Sequence, residues 1–370
     1  MTTDEPGEPT ATVDSDTSPR KRITRIVIVI AVLVVLFGLV LPQIIDYELV
    51  WEAITELSLE QLLVLSALGV LRVPTEALIY RAMLPGLGIA RGSAAYLSSN
   101  VAANVMPPPA SSVVQYAYFR ADGFDGQASM TGAAGSFVFP QGARIVLPVV
   151  AFVVLLAAGA VDTEALVITG ISLVVVGIVA WLIRLIGPSE TAARWLGAKL
   201  GAMISWMLVK FKRDPVGDLG DAVVDFRNNA YAVVRERWLF GTIAVTLNLG
   251  LTYLILVASL RAVGIEAEQL GLAAIFACFA VSFFAGVVIP ITGSGLGVVD
   301  VVMVSALSAA ATSGVDVNII VAAVVLWRLF YGLLAILPGA LTLTKFTKEN
   351  SELLHDASRQ LQGEPAEGAL

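Results

Sequence analysis

Hydrophobic residues in this chain gather into long unbroken blocks separated by short polar stretches, with little of the alternation that marks half-buried strands. The blocks cover residues 26–41, 59–84, 126–161, 165–186, 238–263 and 316–343. Crossing a hydrocarbon core of about 30 Å takes about 20 helical residues, so the pattern predicts about six transmembrane helices. The first block follows Arg20, Lys21, Arg22 and Arg25, as in a signal peptide. It then runs on through Leu41-Pro42-Gln43-Ile44-Ile45 without a small-residue cleavage site, which marks a retained span. Two further apolar regions are interrupted: residues 93–120 by Pro107-Pro108-Pro109, and residues 269–312 by a run from Ile289-Pro290 through Gly293-Ser294-Gly295-Leu296-Gly297 to Asp300. Lipid offers no water to a broken backbone, so such breaks belong where protein buries them or where they line a wet cavity.

Composition narrows the class. Of 370 residues, 57% are hydrophobic and 14% charged, and the mean hydropathy is +0.83, values that an ordinary water-soluble domain does not show. The formal net charge of −7 is concentrated in the acidic tails and says little about partners. Cys278 is the single cysteine, which excludes an intrachain disulfide and a CxxC metal site. His355 is the single histidine and falls in the polar C-terminal tail, which excludes histidine-dependent hydrolysis and HExxH zinc chemistry. No cofactor, metal or catalytic residue is expected, and the chain is not read as an enzyme.

Basic residues concentrate on the cytoplasmic side of membrane proteins. Arg20 to Arg25 place the N-terminus in the cytoplasm, Arg81 and Arg91 mark the inner end of the second span, and Lys345 and Lys348 place the C-terminus inside. Asp46, Glu48, Glu52, Glu56, Asp162 and Glu164 then lie outside. These assignments close only if residues 93–120 form a re-entrant hairpin from the inner face and residues 269–312 one from the outer face. The expected order is a disordered tail (1–22), a first membrane half (23–187), a cytoplasmic amphipathic linker (188–237), a second membrane half (238–345) and a tail (346–370).

The halves echo each other. Arg144 follows Pro107 by 37 residues and Arg328 follows Pro290 by 38, and each arginine span is preceded by a Gly-x-Asp turn, Gly123-Phe124-Asp125 and Gly314-Val315-Asp316. An inverted-topology repeat of the kind that builds transporters accounts for both.

Arg144 and Arg328 are the strongest single-residue signals, because a charge inside a span costs roughly 2.5 to 3.5 kcal/mol on insertion scales. A guanidinium cannot lose its proton and binds phosphate through a planar fork of donors, so an anionic lipid headgroup is the expected contact. The competing readings are an Arg328–Asp300 ion pair and snorkelling of Arg144. Asp300 opens a helix and is read as a cap, a partner for arginine or a proton acceptor. Gly293, Ser294, Gly295 and Gly297 read as a turn whose amides face an anion; the spacing is not that of a nucleotide loop. Ser111, Ser112 and Gln115 after the first break, and Asn104 before it, are the expected counterparts. Arg72 and Glu76, four apart on one face, read as a self-satisfying pair.

The loop from Pro290 to Asp300, the helix Leu326-Trp327-Arg328-Leu329 ending at Pro338-Gly339, and Asn104-Val105-Met106-Pro107 together resemble the lysylphosphatidylglycerol synthase transmembrane region, or flippase-like domain family, over roughly residues 23–345. Here Ser111-Ser112 stands near the usual Gly-Glu of the first loop, and Asp300 where Glu is usual. The resemblance adds Trp327 to the expected site. It implies an all-α protein of the cell (inner) membrane that moves a phosphorylated lipid, an aminoacyl-phospholipid or a polyprenyl-phosphate-linked sugar, between leaflets. The soluble aminoacyltransferase domain of bifunctional members has no expected place here. Membrane lipids and a lipid-synthesising enzyme are the expected partners; nucleotides and nucleic acid are not. The alternatives are a membrane-embedded transferase using Asp300 or Glu76 as base, and a non-transporting partner of a synthase.

Overall fold

The computed structural model describes residues 47–105, 110–159, 174, 177, 189–210, 220–288, 297–312, 314–350 and 353–354, and it is all-α: no strand occurs among them. The helices are α1 (Tyr47–Thr55), α2 (Leu59–Met83), α3 (Ile89–Val105), α4 (Ala110–Ala121), α5 (Gly126–Ala157), α6 (Glu190–Lys210), α7 (Gly220–Ala262), α8 (Leu272–Val288), α9 (Val298–Ala310), α10 (Val317–Tyr331) and α11 (Ile336–Glu349). Four stretches are long and apolar enough to span a membrane: α2, α5, the Arg237–Ala262 part of α7, and Val317–Glu349. Their outward faces carry residues such as Leu63, Val70, Leu337 and Leu341, more than half exposed in the isolated chain, as lipid-facing side chains are. The block 26–41 lies outside the described residues, and so does 165–186 apart from Val174 and Gly177.

Local chemistry sets the starts of the spans. Ser58 and Gln61 form a reciprocal capping box on α2, with Ser58 N–H donating to Gln61 Oε1 at 2.7 Å and Gln61 N–H to Ser58 Oγ at 3.2 Å. Both Gly-x-Asp turns work alike. Gly123 and Gly314 take φ of 92° and 110°, a region open chiefly to glycine, and Asp125 and Asp316 then accept the N–H of Ala128 and Asn318 to cap α5 and α10.

The element order repeats: long helix, two-helix hairpin, long helix, as α2, α3–α4, α5 and again as α7, α8–α9, α10–α11. The two leading helices run antiparallel. Gln61 Nε2 donates to the Ala262 carbonyl at the start of α2, Arg72 Nε to Thr252 Oγ1 and Asn248 Nδ2 to Thr75 Oγ1 midway, and at its end a Cβ at Gly241 would lie 3.5 Å from Ala82 Cβ. At 1.5 Å per residue, α8 and α9 reach only about 25 Å and about 20 Å, short of a full crossing, as a re-entrant hairpin requires.

Two boundaries differ from the sequence-based expectation. The polar stretch ending at Arg237 and the span that follows are one helix, α7, of 43 residues and about 65 Å, because nothing between Gly220 and Ala262 breaks the backbone. The last span is not continuous. It is broken at Gly332 by a 3₁₀ turn, Leu333–Ala335, and the freed carbonyls find side-chain donors: Arg72 Nη1 reaches Tyr331 O at 3.3 Å and Asn100 Nδ2 reaches Gly332 O at 3.2 Å. Both donors sit on other helices.

Two large apolar clusters carry most of the core among the described residues. One joins α8, α9 and α10 to α2, α5 and α7 around Trp327, Phe279 and Leu256; the other joins α3 and α4 to α2 and α11 around Tyr116, Phe119 and Tyr80. Backbones approach closely where glycine allows it. A Cβ at Gly339 of α11 would overlap the Leu97 carbonyl of α3.

Candidate functional site

A polar cavity of about 200 Å³ lies where α2, α3, α4, α5, α7 and the α10 break meet. The volume suits a headgroup and not a whole lipid. Its charged lining consists of Arg72, Glu76, Arg144 and Arg328. Each of these would be costly in lipid and is held by a helix whose other faces are apolar.

Arg72 is the most completely engaged. Its Nη2 donates to Glu76 Oε1 at 2.6 Å, Nη1 to Tyr96 Oη at 2.6 Å and to Tyr331 O, and Nε to Thr252 Oγ1 at 3.1 Å. The guanidinium also lies 4.4 Å from the centre of the Tyr331 ring. With 4% exposure it ties α2 to α3, α7 and α10 and has little left to offer a ligand.

Gln115 performs the same service among the first hairpin's neighbours. Its Nε2 donates to Tyr80 Oη at 3.0 Å and to Ser99 Oγ at 3.4 Å, and its Oε1 accepts from Ser136 Oγ at 2.9 Å. Ser136 belongs to the turn that Pro140 leaves without a backbone donor. Asn104 donates to the Asn100 carbonyl at 2.8 Å, so the two asparagines cooperate along one face of α3. Ser111 and Ser112 occupy the first turn of α4, whose N–H groups have no helical partner, so the cavity meets the positive end of a helix dipole.

Arg328 is paired. Its Nε donates to Asp300 Oδ1 at 2.7 Å; Nη2 lies 2.7 Å from the same oxygen but is not aligned to bond to it. Asp300 Oδ2 accepts the Gly297 N–H at 2.9 Å, so this carboxylate both caps α9 and neutralises Arg328. Arg144 has no such counter-ion: among the described residues no carboxylate pairs with it. Its Nη1 donates to Gln141 Oε1 at 2.8 Å, its charge sits 5.0 Å from the Phe283 ring centre, and its buried Nε has no acceptor.

Of the residues expected from sequence, Arg144, Arg328, Asn104, Ser111, Ser112 and Gln115 converge on the cavity. Asp300 stands behind the wall, reaching it through Arg328. Trp327 is not in the lining: it is fully buried, stacks on Tyr331 and donates its indole N–H to Thr252 O at 3.1 Å, which makes it core. Gly297, φ 91°, lies at the α9 cap and outside the lining. Gly293, Ser294 and Gly295 lie outside the described residues. Arg72 and Glu76 do form the expected pair and also line the cavity, as does Asn100, which its spacing of four from Asn104 marks for either helix packing or the cavity. Tyr80, Tyr96, Ser99, Ser136, Gln141 and Asn248 line it too, and sequence reasoning did not select them: tyrosines and serines scattered along apolar helices carry no signal.

Helices that span, paired hairpins and a charged cavity define a multi-pass membrane protein with an internal polar site. Residues 24–339 match the model of the family described as lysylphosphatidylglycerol synthase TM region, and the chain belongs to that family. No curated protein matches it.

Proposed function

We propose that this protein is a carrier that shields the phosphorylated headgroup of a lipid in the cavity while it passes between leaflets, without covalent chemistry. The observation that carries this reading is Arg144, a guanidinium without a carboxylate partner among the described residues, lining a membrane cavity beside the start of α4. An isolated cation there is costly, and an anionic ligand would offset that cost. The family gives the lipid context. Phe137 and Leu333 are apolar, line the cavity and are 58% and 46% exposed, which supports acyl chains remaining in the bilayer while the headgroup enters. Glu76 and Asp300 each accept from an arginine, a counter-ion role more than that of a free base. The site of action is the cell membrane, with both termini cytoplasmic, and the lipid's own gradient or an ion gradient drives the movement. An aminoacyl-phospholipid and a polyprenyl-phosphate-linked sugar both carry the required phosphate.

The test is reconstitution into vesicles with a labelled phospholipid. Arg144→Ala and Arg328→Ala are each expected to slow translocation by about tenfold or more, the worth of a lost charge-assisted contact. Unchanged rates in both variants would sink the mechanism.

A further inference from the structure

The charge inventory of the cavity constrains what it holds, an inference resting on the reading that it receives a lipid headgroup. Three guanidinium groups line it, those of Arg72, Arg144 and Arg328. Glu76 neutralises the first at 2.6 Å, and Asp300, behind the wall, the third at 2.7 Å. Arg144 is left over. The neighbours of its guanidinium, Gln141 Oε1 at 2.8 Å and the Phe283 ring at 5.0 Å, are uncharged, and its Nε is buried without an acceptor. Among the described residues the arrangement therefore carries one uncompensated positive charge, in a setting where water screens poorly.

We infer that the site selects a headgroup bearing a single negative charge: a phosphodiester with no compensating amine. Such a group neutralises Arg144 and leaves both existing ion pairs intact. An aminoacylated headgroup brings ammonium groups that cancel or reverse the phosphate charge, and among the described lining residues the carboxylate, Glu76, is already held by Arg72. A phosphomonoester carries more negative charge at neutral pH and is matched only if Arg328 leaves Asp300. That exchange would strand a half-buried carboxylate and forfeit its ion pair. The donors are suited to the diester: the guanidinium of Arg144, and the N–H groups and hydroxyls of Ser111 and Ser112 at the start of α4.

Native mass spectrometry of the full chain reads binding directly, with phosphatidylglycerol, its lysyl ester and phosphatidic acid of matched acyl chains, and with a prenyl phosphodiester glycoside. Phosphatidylglycerol and the glycoside are expected to be retained about tenfold over the other two, the scale of one charge mismatch at a desolvated site. Arg144→Gln removes that preference and Arg144→Lys keeps it. Asp300→Asn, which frees Arg328, moves the preference toward phosphatidic acid. Equal retention of the lysyl ester, or a ratio unchanged by Arg144→Gln, overturns the inference. Equal competition by water-soluble glycerophosphoglycerol would overturn a lipid as the occupant. Translocation in vesicles is scored separately. Selective binding without translocation defeats the carrier reading and leaves charge selection standing, and equal translocation of all headgroups does the reverse.

Discussion

Arg72 shows how one side chain can hold a membrane fold together. Its donors bridge four helices and its charge has one counter-ion, so removing it strands Glu76. Arg72→Met is expected to cost about 3–5 kcal/mol, as for other broken buried pairs, and the double variant Arg72→Met with Glu76→Gln to recover part of that. Unfolding in detergent measures both; a single variant as stable as the parent would contradict the assignment. Sequence alone gave half of this residue. The i,i+4 partner was legible because it lies one turn away, while Tyr96, Thr252 and Tyr331 are brought in by distant elements. Arg144, Arg328 and Asp300 were legible for a simpler reason: a charge in an apolar block needs a purpose. Trp327 was selected by resemblance to a family motif, and its indole serves packing.

At the scale of elements, the hairpins could be read because proline and glycine interrupt apolar runs, and the helix pairs α3–α4 and α8–α9 flank those interruptions. The break at Gly332 could not. A single glycine in a span is ordinary, and only the donors from Arg72 and Asn100 stabilise the opened backbone. Close packing makes a second prediction. Alanine at Gly339 would drive its Cβ into the Leu97 carbonyl and to within 2.7 Å of Val101 Cγ2, so Gly339→Ala is expected to lose about 1–3 kcal/mol as an overpacked contact. Gly142→Ala, whose Cβ meets nothing within 4 Å, should be neutral or slightly stabilising by helix propensity. Thermal denaturation of the pair distinguishes packing from a general intolerance of substitution.

For the whole molecule, the repeat of span, hairpin and span was foreshadowed by matched spacings, and the antiparallel pairing of α2 with α7 gives it a physical form. It also fixes an expectation for sidedness. Arg91, at the start of α3, and Glu266, in the turn after α7, are exposed and belong to opposite ends of the paired helices. Arg91→Cys should react with an impermeant maleimide only from the inner side and Glu266→Cys only from the outer; the native Cys278 is buried. Labelling of both from one side would refute the assigned orientation.

The uninterrupted course of α7 has a mechanical consequence. The segment before Arg237, where Asp221 pairs with Arg194 of α6, and the segment bearing Asn248 and Thr252 beside the cavity belong to one rod. A twist applied at one end arrives at the other with little slack. Its neighbour α10 is fastened to that rod by the Trp327 to Thr252 bond and then gives way at Gly332 only a few residues later. One wall of the cavity is thus an unbroken strut and the adjoining wall is interrupted beside the arginines, which makes Gly332 the place where bending of that wall is expected.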